Sequence, residues 1–165
     1  MIIQKFLLLK SQCHDTMELE KEIFQNKFRN AGHKLAINIY YTYNWLNSLH
    51  SALLKPQGLT SQQFNVLRIL RGQNPNPASV KLIRERMLDK MSDASRIVEK
   101  LRVKGLVNRD ISAADRRECE IFITDKGLKS LAEIDREDEK VDEIFSTLTE
   151  EEIQQLNMLL DKLRG

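Results

Sequence analysis

The ten residues DISAADRREC, positions 110–119, place Asp115, Arg116 and Arg117 where the flanking sequence marks a turn. Guanidinium groups at the tip of a loop bind anions, and the narrow, strongly negative minor groove of DNA draws them in particular. A loop that only reversed the chain would favour Gly, Asn, Asp or Pro. The stretch SAADRRE holds no glycine and spends two arginines where reach is greatest. Asp115 would repel a phosphate, so its role is internal: it accepts a hydrogen bond from one arginine or a loop amide and aims the other arginine outward. Spacing alone does not decide whether Arg116 or Arg117 enters the groove.

A second group lies just upstream in SDASRIVEKLRVKG, where Ala94, Ile97, Val98 and Leu101 recur at helical spacing and face inward. Ser92 reads as the cap. Asp93, Ser95, Arg96, Glu99, Lys100 and Arg102 are left outside. Small Ser92 and Ser95 permit close approach to a groove floor. Arg96 can donate two bonds to a guanine edge, while Lys100, a turn farther on, reaches a phosphate. Asp93 would repel phosphate but could accept from a cytosine amino group. An amphipathic helix with a solvated charged face would look the same in isolation; the arginine-tipped hairpin beside it favours DNA.

The remaining reactive residue types assemble nothing catalytic. His14, His33 and His50 share no metal-ligand spacing, and Cys13 and Cys119 form neither a disulfide framework nor a metal motif. No phosphate-cradling glycine loop or nucleophile motif is present. The expectation is a protein without catalytic residues, metal or cofactor, and not an enzyme.

The elements that must position these residues are mainly helical. Residues 18–30 set Leu19, Ile23, Phe24 and Phe28 at helical spacing. A long helix follows from His33 to about Leu54, with Leu35, Ile39, Tyr43, Leu46, Leu49 and Leu53 as its stripe, and stops at KPQG. TSQQ opens the next helix as a capping box of Thr60 and Gln63, with Phe64, Leu67 and Leu70 inward; Gly72 and NPNP close it. Ser79 begins SVKLIRERML, whose apolar side is Val80, Ile83 and Met87. After the helix that Gly105 ends, LVNRDI and ECEIFIT read as a β-hairpin. From Thr124 a helix carries Leu128, Leu131, Ile134, Val141, Ile144 and Phe145. A last one, capped by Thr149 and Glu152, shows a narrow seam of Ile153, Leu156, Leu160 and Leu163, suited to another helix.

Charge is uneven along this order. Residues 60–127 hold 14 basic against 9 acidic residues, net +5, and residues 128–165 hold 5 against 11, net −6. A basic middle and an acidic tail point to a polyanion partner for the middle alone. No run approaches the ~20 apolar residues of a spanning helix, and MIIQKFLLLK is interrupted too early for a signal peptide. The expected location is the cytoplasm, with no membrane partner.

Helix, turn, capped helix and arginine-tipped hairpin together resemble the winged helix-turn-helix of the multiple antibiotic resistance regulator (MarR) family. The match is specific in SDASRIVEKLRVKGLVNRDISAADRRECEIFITDKG: KGLV after the recognition helix, Arg109 two residues later, D-x-R at Asp115 and Arg117, and T-x-x-G at Thr124 and Gly127. The resemblance implies a homodimeric transcription regulator, usually a repressor, on a palindromic double-stranded operator. It further implies a recognition helix in the major groove and Arg117 as the minor-groove arginine, with Arg116 its basic neighbour and Asp115 its brace. Half-sites would lie about one DNA turn apart, ~34 Å. Release by a small, often aromatic or phenolic, ligand would follow, with Tyr40, Tyr43 and Trp45, beside Tyr41, on the side of the family's ligand crevice. The family often has a small polar residue where Asp93 stands, and its redox-sensing branch carries a cysteine that LAINIYY lacks.

The implied fold class is mainly α with a small β-hairpin wing, a winged helix-turn-helix plus a dimerisation region of N- and C-terminal helices. Residues 18–58 are the N-terminal dimerisation helices, 59–127 the DNA-binding domain and 128–165 the C-terminal dimerisation helices. Residues 1–17 form an extension or arm, since MELEKEIF from Met17 is itself a natural helix start and the preceding stretch reads as a misassigned start. The competing reading is a winged helix that docks a protein through hairpin and basic helix without binding DNA.

Overall fold

The computed structural model describes residues 18–111 and 119–165. The hairpin tip with Asp115, Arg116 and Arg117, the leading segment, Cys13 and His14 lie outside the described residues.

The chain begins with a one-turn helix, α1 (Leu19–Ile23), followed by the long α2 (Ala31–Leu54), which Asn30 caps by accepting from the His33 amide at 2.8 Å. The expected single helical stretch over 18–30 does not form. Phe24 turns left-handed at φ 54° and stands 95% exposed. The physical reason is that α1 is tied back along α2, through Lys34 to Glu20 and Tyr41 to Glu22, and the chain must reverse at Phe24 to allow it. Pro56 lacks the amide an α-helix needs, so α2 tightens into a 3₁₀ turn (Lys55–Gln57) and ends at left-handed Gly58.

The next helix, α3 (Ser61–Gln73), opens on the expected capping box, with Thr60 and Gln63 bonded reciprocally. Then come a two-residue strand β1 (Ala78–Ser79), α4 (Val80–Arg86) capped by Ser79, and α5 (Ala94–Val103). Strands β2 (Val107–Ile111) and β3 (Cys119–Ile123) form the hairpin in antiparallel register from Val107 opposite Ile123 to Ile111 opposite Cys119. Strand β1 joins the free edge of β3, Ala78 opposite Ile121, giving sheet order β1-β3-β2. This third strand is too short to leave a periodic signal in the sequence. Helix α6 (Asp125–Asp142), a 3₁₀ turn (Glu143–Thr147) and α7 (Glu150–Arg164) complete the chain; the helix expected to run to Phe145 gives way to 3₁₀ geometry after Asp142.

One core holds the middle of the chain. Val66, Leu67 and Leu70 of α3, Ile83 of α4, Val98 and Leu101 of α5, Ile121 of β3 and Leu131 and Ile134 of α6 are all buried in it. Apolar burial of this kind is what holds the lobe together. Toward the two ends of the chain the apolar stripes are covered only in part. Leu49 and Leu53 of α2 are buried but Leu35 and Tyr43 of the same stripe are not, and α7 has no buried residue, its Leu156 being 49% and Leu163 59% exposed.

Gly127 explains the T-x-x-G pattern. Thr124 Oγ1 accepts from the Gly127 amide at 3.1 Å and donates to the Gly105 carbonyl at 2.9 Å, which docks the start of α6 on the loop after α5. A Cβ on Gly127 would penetrate the Leu106 carbonyl oxygen and come within 2.8 Å of Ile123 Cγ1.

Candidate nucleic-acid interface

Helices α4 and α5 are the two limbs of a helix-turn-helix. On α5, Ala94, Val98 and Leu101 turn into the core, which leaves Ser95, Arg96, Lys100 and Arg102 exposed on the opposite side. The sequence assigned the cap to Ser92; the structure assigns it to Asp93, whose Oδ1 accepts from the Arg96 amide at 3.1 Å. Aspartate caps as well as serine and its charge suits the positive end of the helix dipole. Ser92 is occupied otherwise, its hydroxyl donating to Asp89 Oδ2 at 2.6 Å. Ser92 and Asp93 therefore stand just before the recognition helix, and one Asp93 oxygen points back at a helix amide.

The cationic side chains of α5 differ in freedom. Arg102 is forked onto Glu99 through bonds of 2.8 and 3.0 Å. That guanidinium holds the Glu99 carboxyl below the usual carboxylate range, with Arg109 on β2 adding through space. Arg96 and Lys100 are exposed and make no ion pair with another described residue. Around the start of α5, Lys81 and Arg84 of α4 join Ser92, Asp93, Ala94 and Ser95 in lining an open cleft of about 360 Å³. Lys81 and Arg84 escaped sequence reasoning because they sit on the first helix of the pair; their spacing on the exposed side of SVKLIRER was the available signal.

Several bonds hold the turn between the helices. Leu88 N donates to Asn65 Oδ1 of α3 at 3.0 Å, and Met91 N to Asp89 Oδ1 at 3.0 Å. The Ser92 hydroxyl, and after it the Met91 amide, hold the Asp89 carboxyl below its ordinary range. At the other end of α5, Lys104 Nζ donates to Gln63 Oε1 at 3.0 Å and to the Gly58 carbonyl, while its own carbonyl accepts from Lys126 Nζ at 2.8 Å. Both ends of the recognition helix are thus fixed to neighbouring elements.

Of the aromatic residues named for an effector, Tyr40 and Tyr43 stand 71% and 61% exposed on α2 and Trp45 is half-buried. None of the three lines the cleft at α5. Tyr41 is engaged by Glu22, which raises its phenol pKa. Cys119 is a free, half-buried thiol at the start of β3. Among the described residues no cluster of His, Cys, Asp or Glu could hold a metal, and no helix is long and apolar enough to cross a membrane.

A helix-turn-helix with a fixed recognition helix, followed by a hairpin in a three-stranded sheet, defines a winged helix-turn-helix DNA-binding protein. Residues 57–118 match the MarR family. The HTH-type transcriptional regulator MgrA of Staphylococcus aureus is 30% identical over 135 residues, which cover 81% of this chain and 90% of MgrA. The chain belongs to the MarR family: it is a DNA-binding transcriptional regulator and not an enzyme. Among solved structures, a MarR variant from E. coli in complex with operator DNA superposes with a TM-score of 0.69 at 22% identity, covering 90% of this chain and all of that one, 100%. BpsR of Bordetella bronchiseptica, whose DNA binding is regulated by 6-hydroxynicotinic acid, does so with a TM-score of 0.66 at 20% identity, covering 80% and 99%. At these identities the likeness is one of fold.

Proposed function

We propose that the protein is a homodimeric cytoplasmic repressor that binds a palindromic operator and is released by a small aromatic or phenolic ligand. The observation that carries the DNA mode is the outward face of α5, where Ser95, Arg96 and Lys100 are exposed and the two cations make no ion pair with another described residue. Arg96 reads a guanine edge, Lys100 holds a phosphate, and Ser92 and Ser95 allow the close approach. Arg117 enters the minor groove, with Arg116 beside it and Asp115 as brace. The uncovered apolar residues of α2 and α7 support dimerisation, with 18–58 and 128–165 as the pairing regions, 59–127 as the DNA-binding domain and 1–17 as an added arm. Tyr40, Tyr43 and Trp45 face the effector, a reading supported by the regulation of BpsR by an aromatic acid.

The test is fluorescence anisotropy on an operator recovered by genomic-fragment selection, over a salt series. Log affinity should fall with log salt by roughly one unit for each phosphate neutralised. Arg117→Ala should weaken binding by about 1–3 kcal/mol. Salt-insensitive or absent duplex binding would favour the protein-docking alternative.

A further inference from the structure

We propose that Met91 reads the 5-methyl group of a thymine in each operator half-site, an inference that rests on the DNA-binding reading above. Met91 lies in the turn between α4 and α5, two residues before the Asp93 cap, and is 94% exposed; Leu88 in the same turn is 86% exposed. A large apolar side chain contributes to folding only by leaving water. Neither of these does.

The exposure belongs to a fixed turn. The Met91 amide is held by Asp89 Oδ1 at 3.0 Å, Asp89 Oδ2 accepts from Ser92 at 2.6 Å, and Leu88 N is held by Asn65 at 3.0 Å. The Ser92 amide closes the turn onto the Asp89 carbonyl at 3.3 Å. The amides of Leu88, Met91 and Ser92 are thus bonded, and the two apolar side chains stand exposed. The Leu88 amide is bonded to Asn65 of α3, whereas Met91 adjoins Ser92 and Asp93, which line the cleft with Lys81, Arg84 and Ser95. Met91 is therefore an apolar extension of the DNA-facing surface at the end of α5 that leads into the groove.

The chemistry selects the occupant. Among base edges in the major groove, the thymine methyl is the apolar feature. An unbranched thioether, flexible and polarisable, adapts to such a group without exact shape matching. A protein partner is disfavoured by area, since a stable interface buries about 800 Å² per side, far beyond what two side chains on one turn supply.

The experiment replaces operator thymines one position at a time with deoxyuridine, which lacks the methyl but keeps the pairing edge. Anisotropy titrations compare the wild-type protein with Met91→Ala, and thermal melts confirm that the variant folds. The expected result is one thymine per half-site at which uracil weakens the wild-type protein about fourfold, the worth of one buried methyl-sized group. Met91→Ala should lose a similar factor on the thymine operator and show no uracil penalty there. The proposal is overturned if no thymine is sensitive, if Met91→Ala keeps the full penalty, or if the variant loses affinity equally on all duplexes, which would make Met91 a backbone contact. Wild-type protein that binds no duplex would overturn the DNA reading itself, and the inference with it. Intact operator binding without methyl dependence would remove the inference alone.

Discussion

Gln63 and Lys104, 41 positions apart, are joined by a 3.0 Å hydrogen bond that ties the first turn of α3 to the end of the recognition helix. Gln63 is 4% exposed and its oxygen also accepts from the Thr60 amide at 3.2 Å, so one buried amide serves as helix cap and as inter-helix strut. Gln63→Ala takes the acceptor from the Thr60 amide and removes the strut to Lys104, which keeps its bond to the Gly58 carbonyl. It should lower unfolding free energy by about 1–3 kcal/mol, read from the urea midpoint at unchanged m-value. Lys104→Met, which removes the half-exposed partner, should cost less.

Gly127 has no room for a methyl group against the Leu106 carbonyl and Ile123. Gly127→Ala should destabilise by about 1–3 kcal/mol through overpacking. If α6 could simply slide, the melting temperature would not move, and the docking of Thr124 on Gly105 would then be a loose contact.

The capping boxes at Thr60 and Thr149 and the inward faces of α3 and α5 were legible because each depends on residues within a turn of one another. Thr60 with Gln63, and Val98 with Leu101, are neighbours in sequence and in space. What stayed hidden depends on distance along the chain: Lys104 on Gln63, Arg71 on Asp135 across 64 positions, and β1 on β3. The sequence points to Ser92 and the structure to Asp93 as the cap of α5, one residue apart, because both residue types cap well. The choice is made by Asp89, which claims the Ser92 hydroxyl.

Asp89 supplies a pH test of the turn. Its carboxyl lies below the ordinary range chiefly because Ser92, and next the Met91 amide, bond to the ionised form. A depressed folded pKa means that the stabilising contribution is complete above the unfolded value of about 3.9 and is lost as pH falls through the lower folded value. The Asp89 carboxyl carbon, followed by NMR, should titrate below that of an unpaired surface aspartate. The Met91 amide signal should shift in the same window. Titration at or above the ordinary value would mean that the Asp89 bonds do not persist in solution.

Helix α7 presents Ile153, Leu156, Leu160 and Leu163 on one side with none of them buried. If that seam pairs with a second copy, Leu156→Ala should weaken self-association about tenfold or more, as truncation of an anchor in an apolar interface does. Sedimentation velocity over a dilution series reads this directly. A variant as dimeric as the parent would move the interface to α2.

Asp93 separates capping from DNA contact within one side chain. Its Oδ1 bonds the Arg96 amide, and the residue also lines the basic cleft where phosphates would approach. Asn caps nearly as well as Asp, so Asp93→Asn should cost only the charge–dipole part, about 0.3–1 kcal/mol, while Asp93→Ala loses the cap as well, about 0.5–2 kcal/mol. Both remove a negative charge, and both should tighten binding to non-operator duplex at low salt, where phosphate attraction dominates. On the operator the two mechanisms part. If Asp93 accepts from a cytosine amino group, Asp93→Ala loses preference for that base pair in each half-site even as overall affinity rises. If the carboxylate is spent on the helix alone, base preference is unchanged in both variants and only the stability of α5 tells them apart.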